Sequence, residues 1–262
     1  MIKIVSGWSN CGGSTVAFLN LTNLFNSKNV DCTFYGAHSW HLDKCKSGLI
    51  SDLNLEESDD LILHFWNPNW DSKPPIKGKL IYSCHEKDVR PIKSFIYHIY
   101  DKIHFVSRPQ KEWHEVDHPS FILPNVIDEL KPITSKPDKV AGIIGSVDRN
   151  KQTYISVKRA IEDGMKQIYL FGNISDQVYF NQIVRAFPNR FVHRGHIDNK
   201  QEMYEQVSDV YLSSVSETWS YIPKECEMTG VNFHGTEAIK DNFELNLSND
   251  EIFDSWMKEL ER

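Results

Sequence analysis

A chain of 262 residues, 40% hydrophobic, 25% charged and 12% aromatic, has the make-up of an ordinary globule with a substantial core. That excludes a disordered, collagenous or repetitive protein, and at about 100–200 residues per domain it leaves one large or two small domains. The formal charge of −7 excludes a molecule that attracts nucleic acid through its overall field.

Apolar runs all fall short of the roughly 18–20 residues of a membrane helix, so no membrane partner is expected. Met1-Ile2-Lys3-Ile4-Val5 leads directly into a strand rather than a signal segment. The five cysteines are widely spaced, with no Cys-x-x-Cys pair, and read as reduced thiols of a cytoplasmic protein.

In chain order, short β-branched or apolar runs alternate with helical patterns. Ile2–Ser6 reads as a strand and Ser14–Ser27 as a helix, followed by strands at Cys32–Tyr35, Leu61–Phe65, Leu80–Ser83, Ile103–Ser107 and Phe121–Leu123. Residues 131–138, polar and punctuated by Pro132 and Pro137, read as a linker. The pattern then restarts with a strand at Val140–Gly145, a helix at Gln152–Asp163, a strand at Gln167–Gly172 and a helix at Asp176–Ala186. Phe191–His193, Gln201–Val207, Val210–Ser213, Lys224–Thr229 and Val231–Phe233 continue it, and Asn249-Asp250-Glu251 caps a last helix, Ile252–Leu260.

Such βαβα order predicts an α/β fold of two Rossmann-like domains, 1–136 and 137–262, facing across a cleft. The last helix, 250–261, is counted with the second domain, with packing back on the first as the alternative. Ligands of doubly wound sheets bind beyond the carboxyl ends of the strands, so the strand-to-loop junctions are where chemistry is expected.

The first junction, Ser6-Gly7-Trp8-Ser9-Asn10-Cys11-Gly12-Gly13-Ser14-Thr15, sets Gly12 and Gly13 before a helix. A backbone without side chains can approach a ligand closely there, and the helix N-terminus favours an anion. A tight structural turn is the plainer reading, since neither Gly-x-Gly-x-x-Gly nor Gly-Lys-Ser/Thr is present. Gly145-Ser146-Val147-Asp148-Arg149-Asn150-Lys151 offers a planar guanidinium and a compact ammonium to phosphate oxygens, or is a solvated loop. The segment from Ser216 to Glu225 places Glu217 and Glu225 eight positions apart, the first past a strand and the second in the first turn of a helix. Carboxylates accept hydroxyl hydrogen bonds strongly, so one segment can hold both a sugar and a ribose.

Residues 73–111 hold nine Lys and Arg against Glu86, Asp88 and Asp101, a local balance of +6. That surplus fits phosphates, or is a solvated face. Trp66-Asn67-Pro68-Asn69-Trp70 follows a strand, and its two indoles serve equally to stack a ring or to cap the core. His38, His41 and Cys45 have ligand-like spacing without a fourth ligand, so no zinc is expected. There is no Gly-x-Ser-x-Gly elbow, which disfavours a hydrolase.

These junctions resemble those of the retaining glycosyltransferases of family 4, which have the GT-B fold. The matching elements are the Arg149/Lys151 loop, the Gly172 turn, Gly195 before Tyr204–Asp209, and Glu217-x7-Glu225 followed by Gly230. In the first half they are Gly12-Gly13, Cys84-His85-Glu86, Ser107 after its strand, and Pro124-Asn125-Val126-Ile127-Asp128. Thr218-Trp219-Ser220 stands where the family carries Gly-Phe-Gly, and Asn125 is followed by Val126 rather than Gly.

The resemblance implies metal-independent transfer, with retention, from a nucleotide sugar, most often a UDP-sugar. By it, Arg149 and Lys151 neutralise the diphosphate, Glu225 binds the ribose, Glu217 binds the donor sugar, and His85 reaches that sugar with the Gly12-Gly13 backbone close by. No Asp-x-Asp metal clamp occurs in the sequence, and neither metal nor other cofactor is expected.

The opening Gly7–Thr15, Phe34-Tyr35-Gly36 and Trp40-His41-Leu42-Asp43 also resemble short glycosyltransferases encoded by tailed phages, a group associated with glycosylating hydroxymethylated bases in viral DNA. The acceptor implied is double-stranded DNA with a modified pyrimidine. Lys87 and Arg90 would then lie on phosphates and Trp66 and Trp70 near the base, in a host cytoplasm. The alternatives are a glycosyltransferase for a surface polysaccharide or lipid-linked saccharide, a sugar-nucleotide epimerase, or a nucleotide-sugar-binding protein without activity.

Overall fold

The computed structural model describes residues 1–8, 12–39, 42–65, 72–86, 97–236, 239 and 246–261. The chain divides into two compact units, Met1–Asp128 with Phe243–Arg262, and Glu129–Asn242. Ile133 N, in the segment read as a linker, donates to Thr229 O within the second unit. No described helix is long and apolar enough to cross a membrane.

The first unit is a seven-stranded parallel sheet of β1 (Ile2–Ser6), β2 (Cys32–Gly36), β3 (Ser47–Leu49), β4 (Asp60–His64), β5 (Leu80–Cys84), β6 (Lys102–Phe105) and β7 (Ser120–Ile122). Their order across the sheet is β3-β2-β1-β4-β5-β6-β7. All five residues of β1, of β4 and of β5 are buried, which is why these mostly apolar strands do not alternate apolar with exposed polar residues: a parallel sheet is covered on both faces.

Helix α1 (Gly13–Ser27) covers one face, burying Ala17, Phe18, Leu21, Leu24 and Phe25 at helical spacing. Helix α2 (Arg108–His114) begins at Ser107, whose hydroxyl accepts from Gln110 N, and stops at Glu115 in a left-handed conformation. Sequence patterning passed over α2 and β3. Ser-Gly-Leu has little strand preference of its own and is a strand because it pairs with Phe34–Gly36 at the sheet edge.

The second unit repeats the winding with five strands: β8 (Val140–Ile144), β9 (Gln167–Phe171), β10 (Val192–Gly195), β11 (Asp209–Tyr211) and β12 (Asn232–His234). They lie in the order β10-β9-β8-β11-β12, all parallel. Between them run α3 (Thr153–Glu162), α4 (Gln177–Ala186), α5 (Lys200–Glu205) and α6 (Ile222–Thr229). Their core gathers Ala141, Val157, Ile168, Leu170, Ile183 and Tyr211.

Helix α7 (Asn249–Glu259) belongs to the first unit. Ile252, Trp256 and Leu260 join the core of Ile2, Ile4, Phe18 and Phe25, and Trp256 meets Phe25, His104 and Phe121 edge-on. The helix starts three residues before the predicted Ile252, because Ser248 and Glu251 form a reciprocal capping box. Asn249 is thereby released from capping and fixes the helix to the chain at Ile127, donating through Nδ2 to its carbonyl at 2.8 Å and accepting its N–H at 3.1 Å.

Trp256 is 1% exposed, so its truncation empties the join between α7 and the sheet. Trp256→Ala is expected to destabilise the first unit by about 3–5 kcal/mol in urea denaturation.

Candidate active site

In each unit the strand that begins the fold is flanked by two others, and the winding reverses there. The loops after β8 and β11 consequently part at the carboxyl edge of the second sheet, and those after β1 and β4 at the edge of the first. These are the places where such sheets bind ligands.

Two glycines set the first loop of the second unit. Gly172 has φ +140°, and a Cβ built on it would lie 2.1 Å from the carbonyl oxygen of Gly145, so the backbones after β9 and β8 approach too closely for any side chain. The loop is then tied across the reversal. Val215 N donates to Asn150 O at 2.8 Å, Asn150 Nδ2 to Ser216 O at 3.4 Å, and Lys151 N to Asp148 Oδ1 at 2.8 Å. At the end of this ladder the Lys151 ammonium meets Glu217 Oε1 at 2.5 Å, with both side chains partly open to solvent. Two residues 66 positions apart in sequence thus form one ion pair at the strand ends.

Arg149 leans the other way. Its Nε is 3.2 Å from Asp176 Oδ2 and its guanidinium 5.4 Å from the Tyr179 ring centre, with 62% of the side chain exposed. Glu225, in the first turn of α6, is 3% exposed and engaged at both oxygens: Lys200 Nζ donates to Oε1 at 2.7 Å and the Tyr204 hydroxyl to Oε2 at 2.8 Å. Burial, and then the Glu225 charge, hold the Tyr204 phenol well above its ordinary pKa, so it donates at any physiological pH. The Lys200 ammonium also lies 4.9 Å from the Tyr221 ring centre. The structure therefore joins Lys151 to Glu217 and gives Glu225 a separate set of partners. Sequence reading missed Asp176, Lys200 and Tyr204, because no local pattern links Lys200 to a carboxylate 25 residues away.

In the first unit Gly12 is the residue before α1, extended at φ −84° and ψ 163°, and Gly13 opens the helix with no side-chain cap. His85 follows β5 and is buried, with its ring 4.6 Å from Phe18, 5.5 Å from His64 and 5.9 Å from His104. Its Nε2 is 3.1 Å from Ser83 Oγ, and the same oxygen is 2.8 Å from His104 Nδ1. Burial pushes the His85 pKa well below its ordinary value, with the neighbouring His64 and His104 adding to the effect, so His85 is a neutral imidazole at neutral pH.

A small pocket beside it is lined by Phe18, Ser83, His85, His104, Asn125 and Trp256, among others. A second histidine, not singled out in the sequence, lies at the reversal: His64 Nδ1 is 2.8 Å from Ser6 Oγ and its Nε2 is 3.1 Å from Glu86 Oε2. Trp66, Trp70, Lys87 and Arg90, assigned to the acceptor, lie outside the described residues, as does His41. Among the described residues no cluster of three His, Cys, Asp or Glu is arranged to hold a metal ion.

No family model matches the chain, and no curated protein matches it. Solved structures do. Anabaena HepE, crystallised in complex with UDP and glucose, is similar with a TM-score of 0.70 at 9% identity, over 97% of this chain and 88% of that one. AviGT4, a glycosyltransferase involved in avilamycin A biosynthesis, has a TM-score of 0.64 at 13% identity over 96% and 87%. WaaG, a glycosyltransferase involved in lipopolysaccharide biosynthesis, has 0.63 at 9% identity over 100% and 91%. At such identities the likeness shows a shared fold: this α/β chain, with its two parallel sheets, is folded as these glycosyltransferases are.

The buried histidines make acid stability a direct readout of this arrangement. Burial lowers the His104 pKa to about 4, whereas the unfolded ring protonates at the ordinary value of 6.5. Between those values the unfolded state binds the extra proton, so stability is fully present above pH 6.5 and is lost as pH falls towards 4. His104 alone contributes a loss of about 3 kcal/mol. Urea titrations from pH 7 to 4 should show this decline, and His104→Gln should make it shallower, with the His85 contribution remaining.

Proposed function

We propose that the chain is a glycosyltransferase that takes a sugar from a UDP-sugar held at the carboxyl edge of the second sheet. The observation that carries the reading is the Lys151–Glu217 pair at the winding reversal, in a fold shared with the UDP-bound HepE. An ammonium has three donors, so Lys151 can keep Glu217 in place and still donate to a phosphate. Arg149, mostly exposed in the same loop and held by Asp176, is assigned as the second cation. Charge develops on the departing diphosphate, and fixed cations at that point lower the barrier.

Glu217 retains lone pairs for a hydroxyl of the donor sugar, and Glu225, locked by Lys200 and Tyr204, retains lone pairs for the ribose. On the family resemblance, His85 and the Gly12-Gly13 turn are assigned to the sugar side of the donor, and transfer proceeds with retention and without a metal, in the cytoplasm.

For the acceptor, two readings rest on different observations. The +6 balance of residues 73–111, with Trp66, Trp70, Lys87 and Arg90 in or beside it, supports DNA carrying a hydroxymethylated pyrimidine, where phosphate contacts give affinity and an extruded base is stacked. The naming of WaaG for lipopolysaccharide and AviGT4 for avilamycin A supports a saccharide or saccharide-bearing acceptor.

Calorimetry with UDP in EDTA tests the donor; loss of binding on chelation overturns the metal-independent reading. Glu217→Gln and His85→Ala should lower turnover at least about tenfold while leaving UDP affinity within about twofold, and Arg149→Ala should impair both. Wild-type turnover in Glu217→Gln removes it from the site. Mass spectrometry after incubation with a UDP-sugar and either hydroxymethylcytosine DNA or oligosaccharides separates the acceptors. Transfer to DNA should weaken as salt rises, because counterions released into a more concentrated salt solution gain less entropy.

A further inference from the structure

We infer that the carboxyl edge of the first sheet carries a binding subsite for a carbohydrate ring, built from Trp8, Phe65 and Glu86. The inference rests on the glycosyltransferase reading for its role, the ring being that of the acceptor, and on the following geometry for its existence.

Strands β1 and β4 run side by side with Ser6 opposite His64, and Gly7 N donates to His64 O at 2.9 Å. Trp8, which follows Gly7, and Phe65, which follows His64, therefore emerge together at the winding reversal, with ring centres 5.3 Å apart. Trp8 is 52% exposed, a large apolar surface given to solvent at the position where such sheets take ligands. Phe65 has φ +48°, a left-handed conformation unfavourable for a bulky side chain. In that turn its ring packs on both Trp8 and, at 4.7 Å, the buried His64. Strain of this kind persists where the surroundings over-determine it, and it gathers at ligand sites.

Glu86 is the polar half of the subsite. Its carboxylate is 31% exposed, with both oxygens within 3.2 Å of His64 Nε2. The His64 ring is itself wholly buried, with Ser6 Oγ at Nδ1. The main chain of Glu86 is held as firmly: its carbonyl is 3.0 Å from Gln110 Nε2 and 3.0 Å from His114 Nε2. Gln110 is fixed in turn by accepting from Val106 N at 2.8 Å. A carboxylate fixed at both ends, partly open and with lone pairs remaining, is a preorganised acceptor of hydroxyl hydrogen bonds.

The chemistry of the pair selects its ligand. A phosphate is repelled by Glu86, and a wholly apolar group would strip water from the carboxylate without replacing its hydrogen bonds. A neutral ring with one C–H face and several hydroxyls satisfies both halves, the face on the indole and a hydroxyl on the carboxylate.

The test is saturation-transfer NMR on the full chain in the presence of UDP. The probes are methyl glycosides of glucose, galactose, mannose and N-acetylglucosamine, with 5-hydroxymethyl-deoxycytidine in a parallel arm. At least one glycoside should receive saturation on its ring protons. That signal should fall at least tenfold in Trp8→Ala and in Glu86→Gln, and return in part in Trp8→Phe, while the UDP signal is unchanged in all three.

A glycoside signal equal to wild type in Trp8→Ala and Glu86→Gln overturns the subsite, as does a UDP signal with no glycoside signal in the unsubstituted protein. Binding of the nucleoside in place of every glycoside overturns it in favour of a base-stacking site. A glycoside signal lost in Trp8→Ala but unaccompanied by any UDP signal supports the subsite and overturns the donor reading instead.

Discussion

Neighbouring parallel strands cannot be joined by a hairpin; each needs a crossover that passes over a face of the sheet, and those crossovers have one hand. A sheet that grows to one side of its first strand and then to the other must reverse there, so the loops on either side of that strand part. Both units are built under this constraint, around β1 between β2 and β4 and around β8 between β9 and β11. The notable side chains of the molecule collect where the constraint leaves room: Lys151 and Glu217 at one reversal, Ser6, His64 and Phe65 at the other. Gly172 belongs to the same account, since its missing side chain lets the backbone after β9 press against Gly145 and set the course of the loop that carries Lys151.

The two edges solve the problem of holding polar groups in opposite ways. In the second unit, cations and carboxylates neutralise one another pairwise as Lys151–Glu217, Lys200–Glu225 and Arg149–Asp176. The Arg149–Asp176 pair, whose arginine is largely exposed, adds little to stability, so its effect is chiefly positional. In the first unit, His85 and His104 are buried and kept neutral, bridged by the Ser83 hydroxyl, and Glu86 at the margin is a partly exposed carboxylate. One edge is an array of mutually paired fixed charges. At the other, buried neutral histidines form a floor with the Glu86 carboxylate at its rim.

Much of this was legible in the sequence because parallel strands, buried on both faces, leave short, mostly apolar runs such as Ile2–Ser6 and Leu80–Cys84. The junction residues were legible for the same reason, as they follow those runs. What escaped was non-local. Ser47–Leu49 is a strand only through its neighbour, and the partners of Glu225 and Glu217 lie 25 and 66 positions away. The two glutamates eight positions apart are plain in the sequence, yet their division between two sets of partners follows from the helix that begins between them. His85 could be placed at a strand end from the sequence, but its burial depends on Phe18 from α1 and His104 from β6, which only the packed sheet brings together.

The return of α7 to the first unit has a consequence for how the chain is made. Synthesis runs from the N-terminus, and domains generally fold as units when their residues have emerged. Here the sheet of the first unit is complete once β7 has appeared, but the face meant for Ile252 and Trp256 stays uncovered until the whole second unit has been translated. Lys102 waits for Glu259, 157 positions downstream. The second unit, whose contacts are contiguous in the chain, can close first and behave as a folded insertion inside an unfinished one. During that interval the nascent first unit shows an apolar face to its surroundings, the circumstance in which chaperones bind.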